Sequence, residues 1–246
     1  MKKINWQIIL GLILALLSAV LYYIHYLIFR DTYHIFIYLL GDIAFLPIEV
    51  LIVTLIIDRV LSVREKKVML EKLNMVIGAF FSEVGLRLLF YFSDFDLNSE
   101  NVKKELININ TWSEKDFVKA AAMVSKFKYS LNSRAGYLAT LKEFLSQRRA
   151  FLLRLLENPN LLEHESFTGL LWAVFHLTEE LEYRSDIAAL PDSDYNHISG
   201  DMKRAYVILI GEWLAYIRHL KNNYPYLFSL ASRINPFDDN ASPIVR

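Results

Sequence analysis

The chain has 246 residues, enough for one or two domains and a sizeable core. Lysine plus arginine equal aspartate plus glutamate at 27 each, so no global field favours an acidic partner, and nucleic acid is not expected as a ligand. Cysteine is absent, which excludes disulfides, thiolate zinc sites, iron–sulfur clusters and a cysteine nucleophile.

The hydrophobic fraction of 54% is high for a soluble protein, and the excess is concentrated before Arg64. Residues 4–29, INWQIILGLILALLSAVLYYIHYLIF, form an apolar run of about 26 residues, which at about 1.5 Å per residue exceeds the roughly 30 Å of a hydrocarbon layer. Trp6 near one end and Tyr22, Tyr23 and Tyr26 near the other stand where aromatic belts occur. A signal peptide would also begin MKK plus an apolar run, but this run outlasts the usual roughly 7–15 residues and has no small-x-small site before Tyr22. The expectation is an uncleaved transmembrane helix.

A second span is read from about residue 43 to 57, extended by Val60 and Leu61. Lys2 and Lys3 precede the first span and Arg64, Lys66 and Lys67 follow the second, against a lone Arg30 between them, so the positive-inside rule places both termini in the cytoplasm. The chain then reads as a membrane hairpin over residues 1–62 followed by a cytoplasmic domain over residues 63–246, and the basic residues at 64, 66 and 67 face lipid headgroups. Residues 31–40, DTYHIFIYLL, are expected as an interfacial half-helix, with Gly41 and Asp42 turning into the second span and Pro47 in its first turns. The order span, short helix, Gly-Asp, span is also that of a two-span channel subunit, although the loop is short for a pore helix and filter and no TVGYG-like run occurs. Glu49 is the most costly membrane residue, at roughly 2.5–3.5 kcal/mol on insertion scales; it is read as bonded to the first span or to a neighbouring subunit, or as handling protons or ions together with Asp42.

From Gly41 to about Phe92 the chain is expected to form one helix that leaves the bilayer near Asp58. Met69, Leu73, Val76, Ile77, Phe80, Val84, Leu88 and Tyr91 step by threes and fours along one face, with Glu71, Lys72, Asn74 and Glu83 opposite. The segment EKLNMVIGAFFSEVG at 71–85, together with the two preceding spans, resembles a group of uncharacterised prokaryotic membrane proteins with a helical cytoplasmic domain. HLTEEL at 176–181 and YPYLFSLASRINPF at 224–237 are similar to the same group. The resemblance implies this architecture and no activity.

After SDFDLNSE, with Ser99 as a potential N-cap, residues 101–107 read as a short helix. Asn110 or Thr111 opens another, with Ser113, Glu114 and Asp116 at its N-terminus and Phe117, Ala121, Val124, Phe127 and Leu131 inward. Further helices are read over 137–157, stopped by NPN, and over 166–183, the most apolar and therefore expected at the centre of the bundle. A polar linker, RSDIAALPDSDYNH, leads to a helix over 198–222, and a short one over 227–234 precedes a tail. No strand-like alternation interrupts the series, so the fold class is all-α, with four or five major helices in a bundle.

Candidate chemistry is sparse. His176 lies three and four residues from Glu179 and Glu180 on one helix, and Glu212, Tyr216 and His219 share a face of another, so these side chains are the candidate metal ligands. A carboxylate-bridged di-metal bundle needs Glu-x-x-His pairs, and the chain has none. Ion pairing with arginine or lysine is the simpler reading, and no cofactor is expected. His197 and Asp201 are read as a local capping pair, and Arg148, Arg149 and Arg154 as a solvated face or a contact for anionic lipid. Neither a phosphate-binding glycine motif nor a nucleophile elbow is present. Together these features read as a non-enzymatic, membrane-anchored interaction or signalling module, which self-associates through its spans or binds a cytoplasmic protein; the alternatives are a two-span channel subunit and a metal-dependent helical enzyme.

Overall fold

The structure, a computed structural model, describes residues 6–245 apart from the side chains of Gln7, Lys67, Leu162 and Glu163. Lys2 and Lys3, used in the orientation argument, lie outside the described residues, as does the side chain of Lys67. The fold is all-α: among the described residues the only β-type pairing is an isolated antiparallel bridge between Asp96 and Leu131. Contacts divide the chain into two units, Met1–Lys66 and Lys67–Arg246.

In the first unit, α1 spans Trp6–Phe29 and α2 begins at Thr32 and runs to Phe80, so the unit boundary falls inside α2. The turn between them is made by two residues. Arg30 takes a left-handed φ of 52° while its N–H still donates to the Tyr26 carbonyl at 2.9 Å, the closing bond of a helix C-terminus. Asp31 then caps α2: its Oδ1 accepts from the N–H groups of Tyr33 at 2.9 Å and His34 at 3.2 Å.

That cap overturns the expected half-helix. Residues 32–41 are the first turns of α2, and the helix passes Gly41 and Asp42 without a turn. A glycine inside a helix costs only about 1 kcal/mol, and no glycine of the described chain takes a positive φ, so Gly41 does not break the run. Pro47 lies well inside α2, not in its first turns. It removes one N–H donor, which the long flanking turns on either side absorb.

The second unit holds the core. Leu73, Ile77 and Phe80 on α2 are buried, and the path continues through a π-helical turn, Phe81–Gly85, into α3, Leu86–Phe95. The wide turn adds a residue per turn and rotates α3 relative to α2, so that neighbours enter the core in pairs: Phe80 with Phe81, and Leu88 with Leu89. Gly85 fits this turn for want of space, since a Cβ there would lie 2.5 Å from the Phe81 ring.

The remaining helices are α4 (Ser99–Leu106), α5 (Glu114–Lys126), α6 (Leu138–Leu156), α7 (Glu165–Glu182), α8 (Asp192–Asn223) and α9 (Pro225–Arg233). Ser99 is inside α4, not its cap; Asp96 organises that corner by accepting from the N–H groups of Asn98 at 3.1 Å and Ser130 at 3.0 Å. Ser113 starts α5, its N–H and hydroxyl both donating to Asp116 Oδ2 at 2.8 and 2.7 Å. The inward small residue of α5 is Ala120, while Ala121 is exposed. Leu131 lies beyond the helix, in the bridge with Asp96.

The helix at the centre is α8, which packs against α3, α5, α7 and α9. It is longer than the periodicity implies, because Pro191 precedes it and Asp192 and Asp194 occupy its first turn, turning half of the polar linker into helix. Its aromatics join distant elements: buried Tyr206 meets Phe92 and Tyr129 edge-on, and half-buried Tyr216 stacks on Phe81 at 5.0 Å. The tail after α9 is part of the core. Phe237 packs on Trp213, and fully buried Asn235 donates from Nδ2 to the carbonyls of Leu106 at 2.8 Å and Ile107 at 3.2 Å.

Candidate functional site

The convergence of titratable groups with most chemical interest lies between the C-terminal part of α7 and the first turns of α8. His176 and Glu180 are four residues apart on α7, and His197 and Asp201 four apart on α8, so each pair projects from one helix face. Packing of α7 on α8 turns these faces toward each other. His176 Nε2 lies 3.8 Å from Glu180 Oε1 and 3.6 Å from Asp201 Oδ2; His197 Nε2 lies 3.6 Å from Glu180 Oε2 and 3.3 Å from Asp201 Oδ2.

Arginines frame the group. Arg184 donates from Nη1 to Glu180 Oε2 at 2.6 Å and grips Asp194 with Nε and Nη2, each at 2.6 Å. Arg204 Nη1 is 3.1 Å from Asp201 Oδ1. The Arg184 hydrogen bond, foremost, holds the Glu180 carboxyl below its ordinary range, and the same guanidinium lowers Asp194.

The other candidate ligands lie apart from this cluster. Glu179 faces α6, where Arg149 lies 3.5 Å from it and 3.1 Å from Glu182, so Arg149 is engaged within the bundle. Glu212 is buried farther along α8 and accepts the Ser166 hydroxyl. His219, near the C-terminal end of α8, lies 3.1 Å from Asn223 Nδ2, and burial lowers its pKa. His197 and Asp201, read from sequence as a local pair, complete the cluster. The repeated His-x-x-x-carboxylate spacing on two helices joined by a short linker is the signal that could have found it.

Asp42 and Glu49 are exposed on α2 of the first unit. Asp42 borders a groove of about 440 Å³ whose walls include Leu14, Leu17, Tyr22, His25 and Tyr38. Arg64 and Lys66 are exposed on the same helix. A further buried polar locus joins Ser93, Asp96, Tyr129 and Tyr206. Burial, with Asp96 adding to it, pushes both phenols up, so they stay neutral and serve packing.

The fold thus defines an all-α protein in which a pair of long apolar helices precedes a helical bundle. The chain belongs to the MJ1433 family: the family described as "MJ1433, N-terminal helical domain" matches residues 2–61, and "Uncharacterized protein MJ1433, C-terminal helical domain" matches residues 69–233. It is similar to Uncharacterized protein MJ1433 of Methanocaldococcus jannaschii, with 45% identity over 241 residues, covering 98% of this chain and 97% of that protein. No solved structure matches the chain.

Proposed function

We propose that this protein is anchored in the cell membrane by α1 and the outer part of α2, which cross the bilayer as two spans, with both termini and the helical bundle in the cytoplasm. One observation carries this reading: α1 and the outer part of α2 each contain an 18-residue apolar window in which no residue is buried. A helix hydrophobic all round needs a surrounding apolar medium, and patches of this extent on a water-soluble surface would drive aggregation. Lone Arg30 between the spans and basic Arg64, Lys66 and Lys67 after them set the orientation. The bundle then acts as a non-enzymatic interaction or signalling module on the cytoplasmic face, with lipid, a second copy through the spans and a cytoplasmic protein as partners. Its support is that arginines hold both carboxylates of the ionisable cluster between α7 and α8, Arg184 on Glu180 and Arg204 on Asp201.

Because the chain lacks cysteine, single-cysteine labelling tests the topology on a clean background. Thr32→Cys is expected to react with a membrane-impermeant maleimide in intact cells, and Ser232→Cys only after permeabilisation. Labelling of Ser232→Cys in intact cells, or recovery of the chain in the soluble fraction, would overturn the reading.

A further inference from the structure

We propose that His176, Glu180, His197 and Asp201 form a binding site for a divalent transition metal of the zinc class, which clips α7 to α8.

The donor set selects the class of ion. Two imidazole nitrogens with two carboxylate oxygens suit zinc and its first-row neighbours, whereas magnesium and calcium favour oxygen ligands throughout. Geometry agrees. Metal–ligand bonds of about 2.0–2.2 Å arranged tetrahedrally put neighbouring ligand atoms about 3.3–3.6 Å apart. His176 Nε2 lies 3.8 Å from Glu180 Oε1 and 3.6 Å from Asp201 Oδ2, His197 Nε2 lies 3.3 Å from Asp201 Oδ2 and 3.6 Å from the other Glu180 oxygen, Oε2, and one ligand atom from each of His176, Glu180 and His197 lies within 4.8 Å of the others. Asp201 joins this group of three through its Oδ2, which both imidazoles approach, and side-chain rotation has to bring it and the Glu180 oxygen to tetrahedral spacing.

Asp201 supplies the independent observation. Its side chain is only 3% exposed, and Arg204 engages Oδ1, but Oδ2 is buried without a hydrogen-bond partner. A buried, unmatched carboxylate oxygen is costly, and natural structures rarely leave one. Both ring nitrogens approach it, yet neither directs a hydrogen bond at it. Groups that converge on a common point in this way are disposed as ligands around an ion more than as an ion pair.

The surroundings perform the tasks of an outer shell. Arg184 occupies Glu180 Oε2 and leaves Oε1 free, and Arg204 occupies Asp201 Oδ1 and leaves Oδ2 free, so each carboxylate is oriented to present one oxygen. With neutral imidazoles, Glu180, Asp194 and Asp201 together outweigh Arg184 and Arg204 by one negative charge, which a dication reverses. Side chains of His176 and His197 are 45% and 52% exposed, so an ion enters from solvent while Asp201 forms the floor. Four protein ligands close the coordination sphere, which assigns the metal a structural role in the hairpin of α7 and α8 and not a catalytic one.

The test uses the full chain in detergent, stripped with chelator and dialysed, then titrated with zinc by calorimetry and, separately, with cobalt(II) followed by visible absorption. The expected result is one zinc per chain, a higher midpoint of thermal unfolding with zinc than with chelator, and cobalt bands of four-coordinate intensity. His197→Ala removes a largely exposed side chain and Asp201→Asn preserves shape; each should lower zinc affinity by about 100-fold or more and abolish the cobalt bands, with helical circular dichroism intact. His219→Ala should bind as wild type does. Absence of stoichiometric zinc uptake by the wild type, or His197→Ala binding as tightly as wild type, would overturn the proposal.

Discussion

Arg184 illustrates how one side chain orders its surroundings. It holds Glu180 four residues before it and Asp194 ten residues after it, tying the end of α7 to the start of α8, and it also donates to the Glu180 carbonyl. Its side chain is mostly enclosed, so the charge-assisted bonds are less screened than a surface pair. Arg184→Ala should lower stability by about 1–3 kcal/mol at neutral pH, because two carboxylates lose their counter-charge. The pH dependence comes from the direction of the shifts: both carboxyls titrate below their ordinary values of 4.5 and 3.8, so the stabilisation is present above those values and is lost as pH falls through the lowered ones. Denaturant unfolding of wild type and variant at descending pH should show a constant gap down to about pH 5 and a narrowing one below; a gap that widens on acidification would refute the assignment. Residues of this kind are half legible in the sequence. The His176–Glu180 and His197–Asp201 spacings are local and visible in the chain, whereas their meeting depends on the packing of two helices, and the burial of Asp201 depends on everything around it.

At the scale of elements, helices are legible wherever a stripe is continuous and less so where caps decide their ends. The capping pair Ser113–Asp116 starts α5 at Glu114, later than the Asn110 or Thr111 read from sequence, which fall in a separate 3-10 turn; Asp31 reads from sequence as part of an interfacial segment, and the start of α8 is hidden in residues that also suit a linker. The π turn is invisible, since a period of three and four tolerates one extra residue and the positions after it remain apolar. Gly85 provides its test. An alanine there would bring a Cβ within 2.5 Å of Phe81 and 3.0 Å of Phe80, both fully buried rings, so Gly85→Ala should destabilise by about 1–3 kcal/mol despite the better helix propensity of alanine. Gly211, on α8, has open space around its Cβ position, and Gly211→Ala should stabilise by up to about 1 kcal/mol. Thermal unfolding of the two variants should therefore shift in opposite directions, and a stabilised Gly85→Ala would show that the tight turn relaxes freely.

For the molecule as a whole, the two units differ in what holds them. All of the buried hydrophobic residues, from Leu73 to Phe237, belong to the second unit, and among the described residues the first unit buries none. A domain of roughly 180 residues with its own core falls within the size at which burial offsets chain entropy. The first unit has no such core, and its apolar helices depend on their medium; on the membrane reading that medium is lipid. The tail matters to this balance, because Asn235 and Phe237 close the second unit from its far end, a role that no periodicity announces since both residues lie outside any helix. The consequence is separability. A fragment of residues 67–246 retains Leu73, Ile77 and Phe80 on its first helix and should be soluble without detergent, show helical circular dichroism and unfold cooperatively with the same midpoint as the second-unit transition of the full chain. Shortening the same fragment to end before Asn235 removes the Phe237 contact with Trp213 and orphans the carbonyls of Leu106 and Ile107, and should lower stability by several kcal/mol, about 3–5 for the aromatic ring alone. If residues 67–246 aggregate or unfold without cooperativity while the full chain in detergent does not, the second unit draws its stability from the first, and the division into two independently stabilised parts fails.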